Sequence, residues 1–133
     1  MKGNACMPNI KKPSSTLIET TKQFFTESVE CQYSYNFEWL SRPIIQYPQD
    51  IVAFQEIVWR VKPDLIIEMG IAHGGSVILS ASLLALLDLC ENGQTTLAPD
   101  SKHPRSVIAA DIDIRAHNRK ALEEHPLYPR LKL

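Results

Sequence analysis

Apolar positions recur along this chain at two spacings, one helical and one extended, and the two alternate. Leu17, Ile18, Phe24, Phe25 and Val29 cover part of one helix face. Thr16-Leu-Ile-Glu19 has the form of a capping box, with Thr16 as N-cap and Glu19 reaching back, which predicts a helix over 16–29. From Tyr33 to Trp39, aromatic and polar residues alternate with period two, as in an extended segment packed on one side. A packing strip is the favoured reading of these aromatics, ahead of a lid over a ligand. Pro43 and Pro48 punctuate the connection that follows. Ile51, Phe54, Ile57, Val58 and Val61 fall at i, i+3, i+4 and i+7, predicting a second helix over 51–61 with a buried stripe. Asp50 is its expected N-cap and Pro63 its stop.

Leu65-Ile-Ile67 is a short apolar run between Pro63 and Gly70, which predicts a strand buried on both faces, as in a parallel sheet. Residues 76–90 read as an apolar helix ended by Asn92-Gly93, and 93–105 as a polar surface loop. A second buried strand is expected over 107–112 and a short polar helix over 115–124, with Asp113 a candidate cap. Residues 131–133 begin a third strand. Strand, glycine turn, helix, strand, helix is the opening of a doubly wound fold. The expected class is α/β: an incomplete Rossmann-like, three-layer fold with parallel strands and N-terminal helices. Residues 1–13 are polar, carry Lys11-Lys12 as a solvated pair, and read as a flexible arm.

Composition narrows the function. The 133 residues suit one domain, and 44% apolar with 22% charged residues excludes a disordered tail or coiled coil. Fourteen Lys and Arg against fifteen Asp and Glu leave a net charge of −1, so no nucleic-acid partner is expected. The apolar run 77–89 is broken by Ser80, Ser82 and Asp88 and is shorter than the ~20 residues of a membrane span. No transmembrane segment is expected, and no apolar leader precedes residue 14. Cys6, Cys31 and Cys90 are scattered and odd in number, as reduced thiols of a cytoplasmic protein would be. His103, His117 and His125 share no ligand spacing, so no metal site is expected among them.

The candidate chemistry lies in Leu65-Ile-Ile-Glu68-Met-Gly70-Ile-Ala72-His73-Gly74-Gly75-Ser76, which places glycines between a strand and a helix. Glycine lets the backbone bend sharply and approach a ligand, and the N–H groups of the following helix face whatever binds there. A phosphate-binding loop ends in Gly-Lys-Ser/Thr, and Gly75-Ser76 has no lysine. The dinucleotide pattern is met only as Gly70-x-Ala72-x-x-Gly75, and the next strand-end acid, Asp111, comes 41 residues after Gly70 instead of about 20. Glu68 beside the turn would repel a pyrophosphate and suit a cation. S-adenosylmethionine carries an ammonium and a sulfonium and no phosphate. Asp111, past the second strand, is placed to accept hydrogen bonds from ribose hydroxyls, or is a plain turn residue. The candidate cofactor residues are Glu68, Gly70, Ala72, His73, Gly74 and Ser76, with Asp111. His73 touches the methionine end or is an ordinary loop histidine.

Arg42-Pro-Ile-Ile, Gln55-Glu56-Ile-Val-Trp59, Pro63-Asp64-Leu-Ile-Ile-Glu68-Met-Gly70, His73-Gly-Gly-Ser76 and Asp111-Ile-Asp113-Ile-Arg115-x-His117-Asn118-Arg119 together make the chain resemble the cephalosporin hydroxylase / rhamnosyl O-methyltransferase family over residues 33–133. The resemblance implies a class I methyltransferase fold, S-adenosylmethionine as cofactor, and a small-molecule, sugar or glycolipid hydroxyl as acceptor. Residues 14–133 are then the N-terminal, cofactor-binding part of one domain. Ala72 stands where the common turn has glycine. Related enzymes place magnesium carboxylates and the base after later strands, so the chain is expected to be truncated before its catalytic half, with no catalytic or metal residue assigned. The alternative is a non-catalytic binding or interaction module, self-associating or pairing through an open sheet edge; a nicotinamide oxidoreductase fragment is less favoured.

Overall fold

The computed structural model describes residues 12–93, 97–99 and 105–133. Most of the 1–13 arm, including Lys11, and most of the 93–105 loop lie outside the described residues. The chain divides into two compact units, residues 1–33 and 34–133.

The first unit holds helix α1 (Ser15–Glu30). Its cap is Ser14, whose hydroxyl accepts the Leu17 N–H at 3.1 Å. This corrects the expected capping box: Thr16 lies inside the first turn, and Glu19 pairs with Lys22 at 3.5 Å instead of reaching back. Phe24 sits edge-on to Phe25 and Tyr33.

The aromatic stretch that begins at Tyr33, the last residue of the first unit, and continues into the second is only partly extended. Tyr33–Tyr35 winds into a 3-10 turn, and β1 (Phe37–Trp39) pairs antiparallel with β2 (Arg42–Ile44). Leu40 and Ser41 form a two-residue loop with φ of 47° and 67°, the backbone that matches the twist of a tight hairpin. Phe37 and Trp39 pack on the core, and the Trp39 indole N–H donates to Ser82 Oγ at 3.0 Å, as a packing strip would. Helix α2 (Pro48–Val61) opens on Pro48, whose fixed φ suits a first turn; Asp50 therefore lies inside the helix and does not cap it. Its stripe is only partly covered. Ile51, Phe54 and Val58 meet the core, while Ile57 and Val61 are exposed, because the row facing α3 is narrower than the apolar face.

Strand β3 (Leu65–Met69), helix α3 (Gly75–Asn92), strand β4 (Ser106–Ala110), helix α4 (Ala116–Glu123) and strand β5 (Leu131–Lys132) form the parallel sheet β3-β4-β5, with Ile67 opposite Ile108 and Val107 opposite Leu131. Both crossovers step the same way across the sheet, and right-handed crossovers then place α3 and α4 on one face. That face is the core: Val77, Ile78, Leu84 and Leu87 of α3 meet Val107 and Ala109 of β4 and Leu122 of α4. This is the α/β, incomplete Rossmann-like arrangement the pattern implied. The expectation that β3 is buried on both faces fails. Leu65, Ile67 and Met69 are 43%, 65% and 79% exposed, because no element of the second unit covers the side of the sheet away from α3. By length and mean hydropathy α3 could cross a membrane, but 61% of that stretch is buried in this core. Arg115, not Asp113, occupies the N-cap position of α4, with no side-chain cap bond.

Candidate functional site

The β3–α3 connection is bent by three residues of positive φ: Gly70 at 91°, Ala72 at 46° and Gly74 at 86°. The Gly70 N–H still donates to Ala110 O at 2.8 Å, so the ladder runs to the last possible residue before the chain turns. The Gly74 N–H donates to Ile71 O at 2.7 Å and closes the turn. The two glycines serve different ends. A Cβ on Gly74 would lie 2.6 Å from Leu122 Cδ2, so this residue makes room for α4. A Cβ on Gly70 would meet nothing within 4 Å and would project into open space at the mouth of the turn.

Glu68 lies on the α3 side of β3. Its carboxylate accepts the hydroxyl protons of Ser76 and, at 3.5 Å, of Ser80. Burial pushes its pKa above the ordinary glutamate value, and the two hydroxyls only partly oppose that. Asp111 follows β4 and is held the other way. Its Oδ2 accepts the N–H of Ile71 at 2.6 Å and, more weakly, of Ala72 at 3.4 Å; its Oδ1 accepts the N–H of Asp113 at 3.1 Å. These backbone donors, Ile71 first, hold its pKa below the usual range. Asp111 thus ties the second strand's end to the turn and retains lone pairs for a further donor.

Two residues that the sequence reading assigned no part in the site clamp the turn from outside. Arg42 of β2 donates through Nε to His73 O at 2.9 Å and through Nη2 to Asn118 Oδ1 at 3.0 Å. Asn118 of α4 donates through Nδ2 to Ala72 O at 2.7 Å, which holds an alanine in a conformation glycine favours. His73 joins this clamp through its carbonyl oxygen, and its side chain is exposed. A third such residue, Gln46, lies between β2 and α2; its Oε1 is buried and has no hydrogen-bond donor. Gln46, Gly70 and Ser76 border both small cavities at the turn, of about 280 and 190 Å³. A cavity of about 470 Å³ adjoins Asp111, Asp113 and Arg119. The candidate residues therefore converge, Glu68, Gly70 and Ser76 on one side of the turn and Asp111 on the other. A larger apolar cavity of about 870 Å³, lined by Trp39, Leu86, Leu89 and Leu127, contains no turn residue and none of the candidate cofactor residues, although Arg42 of the clamp borders it. Among the described residues no three His, Cys, Asp or Glu side chains gather to hold a metal.

Residues 31–133 match the family model described as rhamnosyl O-methyltransferase/CmcI. No curated protein and no solved structure matches the chain.

Proposed function

Since the chain belongs to the rhamnosyl O-methyltransferase/CmcI family, we propose that its glycine turn binds S-adenosylmethionine and that the acceptor is a hydroxyl group of a small molecule or sugar. The observation that carries this reading is the pair of carboxylates flanking an open glycine, with no lysine and no phosphate-type loop. The group fits the residues present. Open space lies where a Gly70 Cβ would be, and a buried acceptor on Gln46 lacks a donor.

Glu68 supplies negative charge toward the ammonium end, and Ser76 and Ser80 orient its carboxylate. Asp111 fixes the turn through Ile71 and uses its remaining lone pairs on the ribose hydroxyls. The first N–H groups of α3 have no partner inside the helix and suit a carboxylate. When bound, the cofactor supplies an electrophilic methyl group to an acceptor oxygen. The protein's contribution is to hold the nucleoside and its charged tail in one orientation. The free thiols of Cys31 and Cys90 fit a cytoplasmic setting. The exposed sheet face favours a second reading, a cofactor-binding module that works against another chain.

Photo-crosslinking with labelled S-adenosylmethionine tests the proposal. The label is expected on the peptide spanning residues 65–76 and is expected to be displaced by S-adenosylhomocysteine. Label confined to peptides other than residues 65–76 and the one holding Asp111, or displaced by NAD alone, would refute it.

A further inference from the structure

We infer that Gln46 is a positioning residue for the amino-acid tail of the cofactor, its side-chain carbonyl accepting a hydrogen bond from the α-ammonium group; this rests on the cofactor reading above. A buried carbonyl oxygen without a donor is rare in a folded chain and asks for an explanation. Gln46 Oε1 is such an atom, and its residue forms a wall shared by both small cavities at the turn. The hydroxyls nearest in that wall do not serve it. Ser76 and Ser80 donate to Glu68. The remaining turn residues offer apolar or glycine surface, apart from the exposed His73. No protein donor lies within hydrogen-bond distance of Gln46 Oε1, and a molecule that enters the cavities can supply one.

The terminal amide torsion of glutamine is broad, so turning Oε1 toward either cavity is cheap. The oxygen exchanges an enclosed position without a partner for one facing a ligand donor. Glu68 borders the larger of these two cavities, so a group that meets both residues finds one charged and one neutral acceptor. A primary ammonium, with three N–H donors, satisfies both, whereas the cofactor reading directs the ribose hydroxyls to Asp111.

Calorimetry on the whole chain decides this with two probes, S-adenosylhomocysteine and 5′-methylthioadenosine, which lacks the amino-acid tail. Gln46→Leu is expected to weaken S-adenosylhomocysteine about tenfold, the usual effect of losing a hydrogen bond to a charged group, and to leave methylthioadenosine unchanged. Gln46→Glu, which keeps an acceptor, is expected to bind S-adenosylhomocysteine at least as well as the parent. Thermal unfolding of Gln46→Leu should be no lower than the parent's, because the change removes an unpartnered polar atom. Unchanged S-adenosylhomocysteine binding in Gln46→Leu would overturn the inference, and so would an equal loss for both probes. If Gln46→Leu does not fold, weaker binding by Gln46→Glu does the same. Failure of the parent chain to bind either probe would remove the cofactor reading itself, a distinct outcome.

Discussion

Glu68 and Asp111 flank one turn and are perturbed in opposite directions, so they titrate with opposite consequences. Burial raises the folded-state pKa of Glu68. The stability it contributes is complete below its unfolded pKa and is lost as pH rises through the folded value. Glu68→Gln is therefore expected to gain unfolding temperature relative to the parent on going from acid to neutral pH. A ligand cation beside Glu68 favours its ionised form, so S-adenosylhomocysteine should bind more tightly as pH rises through this titration and release a proton, with neither effect in Glu68→Gln. For Asp111 the sign reverses. Its pKa is depressed by the Ile71 and Asp113 amides, so its contribution is present above the unfolded pKa and is lost as pH falls through the folded one. Asp111→Asn should flatten the acid limb of a stability–pH curve, and Asp111→Ala should also weaken S-adenosylhomocysteine by about tenfold. Both carboxylates were legible in the sequence because each stands at the end of an apolar run. Gln46, Arg42 and Asn118 were not. The partners of Arg42 and Asn118 lie tens of residues away, Gln46 Oε1 has none, and no local spacing marks such a polar side chain.

The elements are fixed by one close approach and one ionic cluster. A Cβ on Gly75 would lie 2.3 Å from Pro43 O and 2.7 Å from Ile44 Cα, so the start of α3 is pressed against the end of β2. Gly75→Ala should cost about 1–3 kcal/mol in urea unfolding, as overpacking does; an unchanged midpoint would mean that the hairpin does not pack there. At the opposite end of the sheet, Asp88 of α3 is fully buried between Arg105 Nη1 at 2.8 Å and Arg130 Nη1 at 2.6 Å. Glu91 takes Arg105 Nη2 at 2.6 Å and also pairs with Lys62; those two cations hold its pKa down, Lys62 first. Asp88→Ala leaves two buried guanidinium groups short of an anion and should destabilise by about 3–5 kcal/mol. The double change Asp88→Leu with Arg130→Met should recover much of that loss, since a buried ion pair and an apolar pair of like volume differ little. Periodicity disclosed α3 because its apolar residues repeat without interruption. It misplaced the caps of α1 and α2, where several polar residues adjoin and only the backbone geometry selects among them.

At the scale of the whole molecule, the sheet shows one finished face and one bare one. Leu65, Ile67 and Met69 of β3, with Ile112 beyond β4, stand exposed on or beside it. Their sequence read as a strand covered on both sides because an apolar run records what a strand would bury and not what is present to bury it. A contiguous apolar face of this kind favours association. Light scattering should find the chain self-associated, and Leu65→Lys should shift it toward monomer while S-adenosylhomocysteine binding persists. Persistence is expected because Leu65 borders neither cavity at the turn, whereas Ile67 and Met69 border the larger of them. The most direct measurement is a calorimetric comparison of S-adenosylhomocysteine and NAD on the unmodified chain. Glu68 beside an open glycine turn favours a cationic tail over a pyrophosphate, so S-adenosylhomocysteine should bind more tightly and lose its advantage in Glu68→Gln; tighter binding of NAD would contradict the assignment of this turn.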